Sequence, residues 1–182
     1  SANRAGGGIE IVDGVLMIES CNLSNNDVNG TAGSPAPGNG GALHIELGYG
    51  TFSGVLTSFC RINNCSITNN YATNYGGAVN SSVFDDIDFN IKKTEFSNNR
   101  ALNSGGVFSN SNTRGRIDFD IEESTFASNS CNNFGGAIYT NNSTSIYKIS
   151  NSTFNNNNAS EGGAIDNNAE SPSNYDIINS TF

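Results

Sequence analysis

Basic residues are scarce in this chain. Eight Lys and Arg stand against 17 Asp and Glu over 182 residues, a formal charge of −9. A nucleic acid or an anionic membrane surface needs a basic face, so neither is expected as a partner. Apolar residues make up only 35%, and no run of 18 occurs, so no membrane-spanning helix is expected. The sequence opens without an initiator Met or a signal-peptide pattern, as a mature or excised segment would. The four cysteines form no Cys-x-x-Cys pair, and the lone histidine, His44, has no partner in view. Neither a zinc site nor a catalytic triad can be assembled from them, and no cofactor or metal is expected.

Low apolar content often signals disorder. Charge, however, is also low at 14%, and Asn, Ser, Thr and Gly fill the deficit. Such a chain folds if its few large apolar residues recur at a fixed period, and they do. Gly-Gly, a small residue and a large apolar one recur at Gly40–Leu43, Gly76–Val79, Gly105–Phe108, Gly135–Ile138 and Gly162–Ile165, with a degenerate copy at Gly6–Ile9. The spacings are 34, 36, 29, 30 and 27 residues. Between them falls a large apolar residue, two polar residues and Asn, at Leu23–Asn26, Ile67–Asn70, Phe96–Asn99, Phe126–Asn129 and Phe154–Asn157.

Further columns lie upstream of each large residue of this second motif. Seven positions before it come Leu16, Cys60, Phe89, Phe119, Tyr147 and Tyr175. Five before it stand Ile18, Ile62, Ile91, Ile121, Ile149 and Ile177. Two before it stand Cys21, Cys65, Thr94, Ser124, Ser152 and Ser180. Tetrads such as Asp88-Phe89-Asn90-Ile91 alternate polar and apolar, which predicts half-buried strands. The 3.6-residue amphipathicity of helical solenoids is absent, and a four-stranded propeller blade takes at least about 40 residues. Three short strands and three turns fit the observed period. The expected fold is all-β: a parallel β-helix of about six coils, forming a rod about 29 Å long at about 4.8 Å per coil. Residues 1–182 are read as a single β-helix segment. The Asn26–Asn157 column is expected to form an amide ladder, and the Gly pairs to mark positive φ or close approach.

Gly-Gly-Ala-(Ile/Leu/Val) paired with Phe-x-x-Asn resembles the repeat of the polymorphic outer membrane protein (Pmp) family. The resemblance covers residues 6–182, with departures at Leu23, Ile67 and Val107. It implies a right-handed β-helix on a cell surface, serving in adhesion or as a stalk, without catalytic residues. The chain contains no autotransporter barrel, so the family's bacterial secretion route gains no support from it. Similar repeats also occur in Asn-rich eukaryotic surface proteins.

The last residue, Phe182, read into Ser1-Ala2-Asn3, completes another Phe-x-x-Asn. Both ends are expected to be uncapped, which exposes sheet edges. The expected partner is therefore the chain itself, as a longer β-helix or a head-to-tail filament. Nine sequons, at Asn22, Asn29, Asn64, Asn80, Asn141, Asn142, Asn151, Asn158 and Asn179, are candidate N-glycosylation sites. Cys21 and Cys65 read as buried small residues rather than a disulfide. A carbohydrate-active enzyme would use Asp85, Asp86, Asp88, Asp118 and Asp120 with Arg114, Arg116, Lys92 or Lys93, but a solvated charged face is the simpler reading. The expected function is a non-enzymatic extracellular or cell-surface stalk or filament. A surface adhesin module and a carbohydrate-active lyase or hydrolase are the alternatives.

Overall fold

The structure, a computed structural model, describes residues 6–12, 14–30, 38–47, 58–83, 86–112, 115–141, 144–169 and 172–182. Asn142, Asp85, Arg114 and most of the insertion after Gly30 lie outside the described residues.

The first coil carries β1 (Ile9–Val12), β2 (Leu16–Glu19), β3 (Asn22–Ser24) and β4 (Asp27–Val28). The second carries β5 (Leu43–Leu47), β6 (Ser58–Asn63), β7 (Ser66–Thr68) and β8 (Tyr71–Ala72). Then come β9 (Val79–Val83), β10 (Ile87–Lys92), β11 (Glu95–Ser97) and β12 (Arg100–Ala101). The fourth coil holds β13 (Phe108–Asn112), β14 (Ile117–Glu122) and β15 (Thr125–Ala127). The fifth holds β16 (Ile138–Asn141), β17 (Ser145–Ser150) and β18 (Thr153–Asn155), and β19 (Ile165–Asn168) and β20 (Asn174–Ile178) follow.

These strands do not pair with their sequence neighbours. Each pairs with the equivalent strand one coil away, always in parallel. One sheet runs β1-β5-β9-β13-β16-β19 and a second β2-β6-β10-β14-β17-β20; a third contains five strands, and a short fourth sheet contains three. This is the expected parallel β-helix, with a slightly different coil count, because not every turn carries a strand on every face.

Alternation explains why the strands face as they do. In β10 and β14 burial alternates residue by residue, so Ile87, Phe89 and Ile91 point inward while Asp88 and Asn90 point out. Register then stacks like on like. Phe89 lies opposite Cys60 and Phe119, and Ile91 opposite Ile62 and Ile121. The aromatic columns stack face to face, with Phe89–Phe119 centroids 5.0 Å apart, Phe96–Phe126 4.8 Å and Phe126–Phe154 4.5 Å. Phe108, from the opposite wall, meets Phe89 and Phe96 edge-on at 5.4 and 5.3 Å. Each such ring adds about 0.5–1.5 kcal/mol beyond its buried area.

The corners explain the glycines. Each complete coil turns through left-handed backbone at three places. One corner uses Ser20, Asn64, Lys93, Glu123, Asn151 and Asn179, with φ from 47° to 53°. The next uses Asn25, Asn69, Asn98, Ser128 and Asn156, where Asn tolerates this conformation best among non-glycine residues. The third uses the first Gly of each pair, such as Gly105 at φ 69°. The second Gly has a different cause. A Cβ on Gly106 would stand 2.0 Å from the Gly136 carbonyl oxygen of the next coil. The pair therefore serves a turn and a close approach in succession.

Gly106→Ala is expected to destabilise the fold by about 3 kcal/mol or more. Gly163→Ala meets only the Asn157 carbonyl at 3.4 Å, so it should be neutral or raise stability by up to about 1 kcal/mol. Urea denaturation of the two variants checks this order.

Candidate functional site

The structure gathers its polar chemistry into ladders that run along the rod. The expected amide ladder is present. Nδ2 of Asn26, Asn70, Asn99 and Asn129 each donates to Oδ1 of the Asn one coil on, at 2.9–3.1 Å. Each of these four backbone N–H groups donates to the same Oδ1. The second amide proton of Asn70, Asn99, Asn129 and Asn157 goes to a main-chain carbonyl of the preceding coil. All four bonding positions of Asn70, Asn99 and Asn129 are thereby filled, which neither Asp nor Gln would reproduce.

Two further ladders were not foreseen. Cys65, Thr94, Ser124 and Ser152 each donate their backbone N–H to the hydroxyl of the next coil's column member, at 3.1–3.3 Å. Each hydroxyl or thiol hands its proton to the carbonyl two residues back, as Ser124 Oγ does to Glu122 at 2.8 Å. Cys65 is buried, as read from the sequence, and stands in for Ser in this ladder; Cys21, at the head of the ladder, is exposed instead, and both thiols are free. The third ladder runs in the opposite sense: Asn133 donates to Asn103, Asn103 to Asn74 and Asn74 to Asn39. Its signal was an Asn two residues before three of the Gly pairs. A polar column also crosses the core, where Ser81 donates to Asn110, and Thr140 bonds both Asn167 and the buried Tyr147 hydroxyl.

The sequons divide by position. Asn22, Asn29, Asn64, Asn151, Asn158 and Asn179 are exposed and Asn141 is half-buried. Asn64, Asn151 and Asn179 share one left-handed corner and point outward. Asn80 is 3% exposed and its amide nitrogen donates to the Ser109 carbonyl, so it is out of reach in the folded chain.

The aspartates considered for carbohydrate chemistry do meet. Asp88 and Asp118 are in register on adjacent coils and line an open hollow of about 330 Å³ with Asp120, Phe59, Arg61 and Lys148. Of the cations considered with these aspartates, three are engaged in ion pairs. Lys92 pairs with Glu122 at 2.7 Å, Lys93 with Glu123 at 3.6 Å, and Arg116 with Asp118 at 2.8 Å. Burial raises the Asp118 pKa above the ordinary carboxylate range; Arg116 opposes the shift and Asp88 adds to it. His44, partnerless in the sequence, lies beside Glu46 and Glu10, and burial lowers its pKa against the pull of those carboxylates.

Residues 123–144 match the Chlamydia polymorphic membrane protein (Chlamydia_PMP) repeat. That stretch contains one copy of each motif, Phe126–Asn129 and Gly135–Ile138. Comparison with curated proteins and with solved structures finds no match.

Asn99→Ala leaves the Asn70 amide donors and the Ile67 carbonyl without their partners in a fully buried place. It should cost about 3–5 kcal/mol, against about 1 kcal/mol for the half-buried Asn103→Ala, as read from denaturant midpoints. Asp118→Asn is expected to raise the melting temperature at neutral pH. A raised folded-state pKa means that ionisation works against folding once pH exceeds it. The gain should fade as pH falls through the folded-state value and vanish below the ordinary Asp range, which thermal melts across pH 3–8 would follow.

Proposed function

We infer, from a parallel β-helix in which residues 123–144 match the Pmp repeat, a non-enzymatic extracellular module whose function is length: a surface stalk or filament. The coarse part of this reading, a surface-exposed structural module, fits both the repeat and the fold. The finer part rests on one observation. Both inner ladders pass from coil to coil with the same donor and the same acceptor, and none of their fully buried members turns aside to build a pocket. Such columns have no natural length, since each coil presents to the next the surface it received from the last.

The proposed partner is a further coil of the same kind, covalently continuous or from a second copy. Tyr175 stacks on Tyr147 at 4.9 Å and Phe182 on Phe154 at 4.7 Å. The opposite faces of these rings are open, with Tyr175 50% and Phe182 56% exposed, and Ile177 and Ile178 beside them. Another coil in register would cover all four and accept the ladder's next hydrogen bonds. The exposed sequons would place N-linked glycans on the outside of such a rod, where they do not obstruct stacking. An enzymatic reading draws less support, since Lys92, Lys93 and Arg116 are committed to ion pairs, which leaves only Arg61 and Lys148 as the cations lining the hollow.

Electron microscopy of the native material tests the proposal. Rods or fibres with an axial repeat of about 4.8 Å are expected. Short isolated particles that never join end to end would rule out the filament.

A further inference from the structure

The outward column of the first sheet breaks the rule of like on like. Glu10 on β1 is in register with His44 on β5, which is in register with Asn80 on β9. Glu46, two residues along β5, leaves the same face as His44. One ligand atom from each of Glu10, His44 and Glu46 falls within 4.8 Å of the other two.

The imidazole makes this more than a cluster of acids. The His44 side chain is only 6% exposed, yet its Nδ1 is buried without a hydrogen bond. Its Nε2 stands 3.9 Å from Glu46 Oε2, too far for a hydrogen bond. On the other side the Asn80 Oδ1 is likewise buried and unbonded. Among the described residues, neither Glu10 nor Glu46 has a Lys or Arg partner. Two carboxylates and an imidazole thus converge, with Asn80 close behind the ring.

We propose that Glu10, His44 and Glu46 bind a borderline divalent transition cation, with Zn²⁺ as the representative, and that the ion clamps the first coil to the second. The donor set of one imidazole nitrogen and two carboxylate oxygens suits Zn²⁺ and disfavours Ca²⁺ and Mg²⁺, which take oxygen. Ligands at about 2.0–2.2 Å around a tetrahedral ion lie about 3.3 Å apart. The two glutamates would have to rotate to close the present separations to that value. With Nδ1 carrying its proton toward Asn80, the ring's polar neighbour on that side, the Nε2 lone pair would face the ion. A fourth position is left for water. The clamp joins the two coils whose connection is among the longest between Gly pairs, Gly6 to Gly40.

The inference stands apart from the stalk reading and is tested on the soluble chain. Calorimetric titration with Zn²⁺, and with Co²⁺ followed by its visible absorption, would be run in a Cys21→Ser, Cys65→Ser background, so that the exposed thiol and its ladder neighbour do not compete and only the buried Cys60 and Cys131 remain. One ion per chain is expected, with preference for Zn²⁺ over Ca²⁺ and a rise of several degrees in melting temperature at saturation. Glu46→Gln and Glu10→Gln should each weaken binding about tenfold or more, and His44→Gln should alter the Co²⁺ spectrum. If His44→Gln fails to fold, the two glutamate variants, whose side chains are partly or fully exposed, decide the matter. Binding unchanged in both of them, equal affinity for Ca²⁺, or no binding at millimolar Zn²⁺ would overturn the site.

Discussion

Parallel strands in register one coil apart are about 4.8 Å from each other, and that spacing governs everything else in this molecule. Every side chain has its own column-mates as nearest neighbours, above and below. A residue type survives only if it can stack on a copy of itself or on a complement. Aromatic rings meet this condition at centroid distances of 4.5–5.4 Å. So do Asn, which both donates and accepts, and Ser or Thr, whose hydroxyl takes a proton from one coil and passes its own back to the main chain. Charge does so only at a cost, since like charges are then placed a coil apart, as Asp88 and Asp118 are. The low content of charged residues follows, and several that occur are arranged to alternate in sign, as Lys92 over Glu122 and Lys93 over Glu123.

Turning the chain three times per coil costs backbone strain, and the ladders offset it. Left-handed residues occupy all three corners, each costing roughly 1–2 kcal/mol when not glycine. The hydroxyl and inner amide ladders sit next to two of these corners and saturate the main-chain groups that the turns would otherwise leave buried and unpaired. The third corner takes its left-handed backbone from glycine, with the outer Asn ladder just before it, and the close contact with the next coil requires a second glycine directly after it. Strain and its relief thus occupy neighbouring residues, which is why the motifs are short and dense.

A structure of this kind makes function by repetition, and a departure from repetition becomes informative. Most outward positions vary freely and face solvent. In the column Glu10, His44, Asn80, two members, His44 and Asn80, are buried with unmet bonding capacity beside a carboxylate. Its members are not copies of one another but complements, the arrangement expected where something is held rather than merely stacked.

Much of this was legible in the residues before any coordinates. The recurrence of Phe-x-x-Asn and Gly-Gly-Ala, and the spacing of Ile and Phe columns, determine strand, register and core, because a periodic fold writes each contact into the sequence as a repeat. Asn26 to Asn157 could be read as a ladder for the same reason. The hydroxyl ladder was hidden, since Cys, Thr and Ser look interchangeable as small residues until their bonds are seen. The separate duties of the two glycines were equally hidden, as was the burial of Asn80 within an ordinary sequon. His44 shows the limit most plainly. Its partners Glu10 and Glu46 are 34 and 2 residues away, and only the coil's closure, which varies with each loop length, decides which residue of one turn faces which of the next. Sequence by itself determined what repeats; tertiary structure decided what meets where the repeat lapses, because no period marks such a contact.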